Sequence, residues 1–327
     1  MGYKRFQNIF TESKYFLPLA VMVAAGACYL YGVVEGGWWM QLTCLAISTI
    51  LLAELNRSHQ LLRVSSQATP AIFLLLVATA IFILPDLEAE IMMLCFIALH
   101  FMLFHSQQRK VSPGWVFYGF FCLGLASMVF VQALYYVPLL WVLMAACLRA
   151  FTAKTFWASV LGLLTPYWLA GPVIIFLSGP EVVAAHFIRL AQVEAIGDYS
   201  MLGEHEWLAM GWTAFLALIG IVHYANQGYQ DKLRTRLLHE MFITIDLVTL
   251  IFLALQPQHY KILLAMAIAN TSPLIAHYLT LTHTWLTNIS FYLIILGTLA
   301  IIAYNSWTPS SNFLSAMVTQ ACLYLPL

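Results

Sequence analysis

Two side chains in this sequence have the types and placement to do chemistry inside an apolar environment, Asp246 and His277. An ionisable group within a long apolar run is costly to bury, which makes each a candidate functional residue. Asp246 lies about two turns into the run 240–255, ~10 Å from its nearer end at 1.5 Å per residue. If the short turn Gln256–Tyr260 sets the next run beside it, His277 reaches a similar depth and Asn270 sits one or two turns deeper. A carboxylate against an imidazole, with an amide beyond, is the equipment of a proton relay or a polar solute site. The same groups also serve to hydrogen-bond helices together in lipid, at about 0.6–2 kcal/mol each. His100 and His223 approach the same side, where an imidazole can reach the membrane surface.

A second constellation lies between 178 and 206: His186, Arg189, Gln192, Glu194, Asp198, Glu204, His205 and Glu206. His186 and Arg189 are spaced i, i+3, so on a helix both face one anionic group such as a lipid pyrophosphate. Glu194 or Asp198 would then act as the base toward a sugar hydroxyl. The alternative is that Arg189 pairs with neighbouring acids on a solvated face, where such pairs contribute little.

Other chemistries lack their motifs. There is no GxxxxGK[ST] loop, no GxGxxG and no GxSxG. His205-Glu206 and His239-Glu240 begin like HExxH, but Ala209 and Ile243 stand where the second histidine would be. The six cysteines form no CxxC pair, and no cofactor or metal is implied. Gly32 and Gly36 form a GxxxG too near a run's end to read as a helix-pairing motif.

The elements that must position these groups follow from composition. The chain is 62% hydrophobic and 9% charged, too little charge to cover a water-soluble fold. No basic tract points to nucleic acid, and the surroundings expected as partner are membrane lipid. Backbone groups in lipid must be paired within their own segment, so the apolar runs read as helices of an all-α polytopic bundle. Eleven runs qualify: 16–34, 38–54, 70–84, 91–105, 115–131, 135–148, 156–177, 207–225, 240–255, 261–281 and 286–304. Gln132 and the start Tyr135, Tyr136, Pro138 separate the fifth from the sixth.

Basic residues favour the cytoplasmic side in short loops. With the N-terminus inside, twelve of the fourteen Lys and Arg fall on inner segments, leaving Arg189 and Lys261 outside. Nine acids lie on outer segments: Glu35, Asp86, Glu88, Glu90, Glu181, Glu194, Asp198, Glu204 and Glu206. Eleven spans place the C-terminus outside. Residues 1–327 thus read as one integral membrane domain, with an uncleaved first helix. Residues 178–206 read as an outer interfacial segment, helical from Pro180 to Ile196, and 305–327 as an outer tail.

LNRSHQLLR, ILPDLEAE, GLASMVFVQALYYVPLLW and LRAFTAKTFWASVLGLLTPYWLAG follow one another between Leu55 and Gly179. In that order they resemble an uncharacterised family of multipass inner-membrane proteins of Bacteroidetes-type bacteria. The glycine-rich helix followed by a tyrosine-proline start, Gly124 to Pro138, is more loosely similar to glycosyltransferases and polymerases that use polyprenyl-linked sugars. Those carry catalytic acids in a large first outer loop, whereas here that loop holds Glu35 alone. The first resemblance implies an inner-membrane protein of envelope biogenesis, an assembly or scaffold subunit with other envelope proteins as partners. The second implies a transferase or polymerase of lipid-linked glycan at the outer face. Asp246, Asn270 and His277 support a third reading, a proton-coupled transporter or flippase.

Overall fold

The computed structural model describes residues 10–323 except 12, 65, 108–111, 193–195 and 283–284, and for 308–323 the backbone alone. All regular structure among the described residues is helical. In chain order the helices are α1 (Phe16–Leu30), α2 (Val33–Gly36), α3 (Trp39–His59), α4 (Ala68–Thr79), α5 (Leu87–His105), α6 (Pro113–Val129) and α7 (Tyr136–Leu143). They continue with α8 (Ala153–Ser178), α9 (Pro180–Ala191), α10 (Glu204–Gln227), α11 (Leu233–Leu255), α12 (Tyr260–Leu281) and α13 (Trp285–Leu323). Among the described residues, eight segments are long and apolar enough to cross a membrane, while α1, α4 and α6 are shorter apolar helices. The chain is a multi-pass membrane protein built as a helical bundle.

Local sequence sets the helix ends. Asp86 caps α5, its Oδ1 accepting from the backbone amides of Glu88 and Ala89 at 3.1 and 3.3 Å. Thr152 and Thr155 bond reciprocally as a capping box at the start of α8. Pro113 and Pro180 open α6 and α9, where a missing amide proton costs no helical bond. The expected break at Gln132 is present: Phe130 is extended, a 3-10 stretch spans Val131–Tyr135, and α7 starts at Tyr136.

Three boundaries differ from the sequence reading. α11 begins at Leu233, seven residues or about two turns earlier than the apolar run. α9 stops at Ala191, because Gln192 turns extended, instead of reaching Ile196. α13 passes through Asn305 without a break and continues to Leu323, where a separate tail was expected.

α12 is the axis of the bundle. Ile262 to His277 is buried throughout, between α11, α10, α4 and α5. Its small residues allow this, and so does Gly220 on α10, where a Cβ would lie 2.9 Å from Leu274 Cβ and 3.0 Å from the Leu274 carbonyl carbon. α6 and α8 cross as closely: a Cβ on Gly162 would meet the Phe117 carbonyl oxygen at 2.3 Å.

The two ends of the bundle differ in charge. At one, Arg57, Arg63, Arg234 and Arg236 make their polar contacts. At the other lie Asp86, paired to Lys261 at 3.7 Å, and Glu204, which accepts from Tyr304 at 3.3 Å. These are called the basic and acidic ends below.

Candidate functional site

The most completely built polar site lies at the basic end and centres on Asp231, in the turn between α10 and α11. A 3-10 turn, Gly228–Gln230, directs this residue inward, so its side chain is buried although Gln230 and Lys232 beside it are exposed. Its Oδ2 accepts from His277 Nε2 at 2.8 Å, and its Oδ1 accepts from Arg63 Nε. A carboxylate can only accept, which puts a proton on His277 Nε2. Arg63 also donates to Gln230 Oε1 at 3.0 Å and to the Gln227 carbonyl at 3.4 Å. It stands in the irregular segment after α3, whose C-cap Gln60 has a left-handed φ of 50°. Burial by itself would raise the Asp231 pKa; the bonds from His277 and Arg63 outweigh it and hold the carboxyl below its ordinary value.

This ion pair forms part of the wall of a cavity of about 840 Å³ between α3, residues 60–67 and the α10–α11 turn. Arg57, Arg63 and Lys232 bring positive charge to it, Glu54 and Asp231 negative, and Asn56 and Gln67 contribute amides. Arg57 is neutralised by Glu54 at 2.7 Å. Beside the cavity, Arg234 donates to His59 Nδ1 at 3.1 Å and to Gln107 Oε1 at 3.1 Å, joining the ends of α3, α5 and α11.

Behind Asp231 the imidazoles gather. His277 has the rings of His223, His239 and Tyr224 at 5.4, 5.1 and 5.1 Å, and Tyr224 stacks on His239 at 4.9 Å. His277 Nδ1, His239 Nε2 and His223 Nε2 each have no partner among the described residues. No group of three or more His, Cys, Asp or Glu with metal-holding geometry occurs among the described residues. What these rings can do is accept and pass protons, since each neutral imidazole holds one proton and one free lone pair.

Asp246 does not meet His277. Its fully buried carboxyl is hydrogen-bonded by Thr271 Oγ1 at 3.0 and 3.3 Å. Thr249, one turn on, bonds the Tyr136 hydroxyl at 2.9 Å. The reason is register. α11 and α12 run antiparallel about the turn Pro257–His259, so Asp246 falls opposite Thr271, and His239 opposite His277. Seven residues separate the two levels, ~10 Å along the axis. Because α11 starts at Leu233, Asp246 also lies deeper than the sequence reading placed it, ~20 Å from the basic end of its helix. Asn270 is buried at the Asp246 level with neither amide atom partnered among the described residues.

At the acidic end, His186 and Arg189 do share one face of α9, and both line a cavity of about 390 Å³. Glu194 lies outside the described residues. Asp198 is turned away, accepting from Ser200 Oγ at 2.6 Å and its amide at 3.1 Å, and these bonds lower its pKa. The carboxylate that does line the cavity is Glu88, with Gln132, Gln192 and His259. His205 and Glu204 contact Asn305 and Tyr304 on α13 instead.

Arg63 and Asp231 were not singled out in sequence, since each stands among other charges in a connecting segment and their partnership spans 168 positions. The available signal was that Asp231 is an acid within a basic stretch, next to Lys232, Arg234 and Arg236. Glu90, one of the nine acids assigned to outer segments, is fully buried in α5 with neither carboxyl oxygen partnered among the described residues. No protein-family model, curated protein or solved structure matches the chain.

Proposed function

We propose that this protein is a proton-coupled transporter of the bacterial inner membrane, with eleven spans, the N-terminus inside and the C-terminus outside. On this reading the three short apolar helices cross the membrane together with the eight long ones, and the positive-inside rule assigns the basic end to the cytoplasmic face. The observation that carries the reading is the His277–Asp231 bond, because it links a polar cavity at that face to an imidazole on the most buried helix. His239 and His223 continue the imidazole cluster, and Asp246 with Thr271 offers a second protonatable level ~10 Å deeper.

The alternative roles have less support in the geometry. A pure assembly subunit needs no buried carboxylate–imidazole pair, which costs desolvation energy to maintain in lipid. A glycan transferase with Glu194 or Asp198 as base has one of these acids turned away from Arg189 and the other outside the described residues.

The test is proton flux in proteoliposomes, driven by a potassium diffusion potential and read with a trapped pH dye. Wild type is expected to conduct protons, while His277→Gln and Asp246→Asn are expected to conduct about tenfold less or lower still. Equal flux in all three sinks the reading. A periplasm-active reporter fused after Leu327 is expected to be active, and a cytoplasm-only signal would remove the eleven-span topology.

A further inference from the structure

The cavity behind α9 is separate from the proton path and has its own chemistry. It is assembled from four pieces of chain: the first turn of α5 gives Glu88, the 3-10 stretch before α7 gives Gln132, α9 with its following residue gives His186, Arg189 and Gln192, and α12 gives Ile262. His186 Nε2 donates to the Ser127 carbonyl at 3.0 Å, which fixes the ring and leaves Nδ1 as its remaining acceptor. Neither the Arg189 guanidinium nor the Glu88 carboxylate pairs with any other described residue. Among the described residues the site therefore has one uncommitted positive charge and one uncommitted negative charge, with the amides of Gln132 and Gln192 and the His259 ring also in its lining.

The position of α9 fixes the depth. Phe187 and Ile188 are exposed on the side of it away from the cavity, while His186 and the exposed Arg189 line the cavity, with Val182 between them on that face of the helix. A short helix with this division lies in the interfacial plane of a bilayer, with its apolar residues at the acyl boundary. It is tied to the bundle by the His186 bond and by the Tyr135 hydroxyl, which donates to the Leu190 carbonyl. An interfacial α9 would set the cavity at headgroup level and next to lipid.

We infer that this cavity binds a zwitterionic phosphate ester, a phosphodiester joined to a primary ammonium, as in the headgroup of an amino phospholipid. Arg189 holds the phosphate through its paired donors. Glu88 accepts from the ammonium. The charge count selects this ligand over a bare anion, because a phosphate dianion on Arg189 would be repelled by Glu88, whereas a zwitterion satisfies both.

Calorimetric titration of the detergent-solubilised protein tests it, with three probes: dihexanoyl phosphatidylethanolamine, dihexanoyl phosphatidylglycerol and inorganic phosphate. The ethanolamine lipid is expected to bind saturably and more tightly than the other two. Arg189→Gln is expected to weaken it about tenfold or more, and Arg189→Lys to keep part of the affinity, showing that charge and not folding was lost. Glu88→Gln is expected to erase the preference over phosphatidylglycerol. A wild type that prefers phosphate or phosphatidylglycerol overturns the proposal, and so does an Arg189→Gln variant that binds like wild type.

Discussion

His277 and Asp231 are bonded at 2.8 Å across 46 residues of sequence, with both side chains fully buried and the second carboxylate oxygen held by Arg63. The bond joins the most buried helix to a connecting turn, and through Arg63 to the segment after α3. It therefore fixes three elements against one another at the basic end.

Removing the carboxylate leaves Arg63 without its counter-charge. Asp231 is fully buried while Arg63 is about one-third exposed to the cavity, so solvent recovers part of the lost interaction and the cost is about 1–3 kcal/mol, more than is expected for a fully solvated pair such as Arg57 with Glu54. Asp231→Ala is expected to lower the melting temperature in detergent markedly, and Glu54→Ala hardly at all. In a double-mutant cycle, Asp231→Asn and Arg63→Gln should be strongly non-additive. Additive effects would mean that the two side chains do not act as a pair.

The same bond sets a pH dependence. The Asp231 pKa is lower in the folded chain than in the unfolded one, because the bonds from His277 and Arg63 outweigh burial. A depressed carboxyl stabilises above its unfolded pKa of about 3.9, and that contribution is lost as pH falls through the folded value. The stability gap between wild type and Asp231→Asn is therefore expected to be full at pH 7, where Asp231 is ionised in both states. It should close only in the acid range below about 4. Detergent melts taken across that range measure it, and a gap already gone at pH 6 would contradict the assignment.

Much of the helical framework was legible in sequence, because lipid leaves the backbone few choices. Each of the eleven apolar runs falls on a helix or a helix-like segment, and the break at Gln132 is where it was expected. Pairings across the bundle were less legible. Asp246 against His277 failed by two turns, although symmetry about the turn Pro257–His259 would have placed Asp246 near Asn270 and Thr271. Arg63 with Asp231 left no local pattern, since neither residue is in a periodic element. At the acidic end the i, i+3 spacing did bring His186 and Arg189 to one cavity, while the acid beside them, Glu88, comes from a helix a hundred residues earlier.

Glu90 makes a separate prediction. Its carboxyl is fully buried with neither oxygen partnered among the described residues, so it contributes desolvation cost with no visible return. Methionine has a similar volume and no polar group to bury. Glu90→Met is expected to raise stability by about 1–3 kcal/mol, read as a higher melting temperature. A lower melting temperature would show that Glu90 has a partner that the substitution removes.

Gly220 connects packing to the imidazole cluster. A Cβ there would lie 2.9 Å from Leu274 Cβ, 3.0 Å from the Leu274 carbonyl carbon and 3.3 Å from the Ile275 amide nitrogen, and backbone atoms cannot rotate away. α10 must then move off α12. His223 and Tyr224 sit one turn further along α10, with their rings 5.4 and 5.1 Å from His277. Gly220→Val is therefore expected to lower stability by about 1–3 kcal/mol and to reduce proton flux in the same proteoliposomes. Gly211, on the same helix with open space around it, is the control: Gly211→Ala should leave both unchanged or raise stability slightly. If Gly220→Val lowers stability while flux stays at the wild-type level, the His223 and Tyr224 contacts with His277 are not part of the proton path.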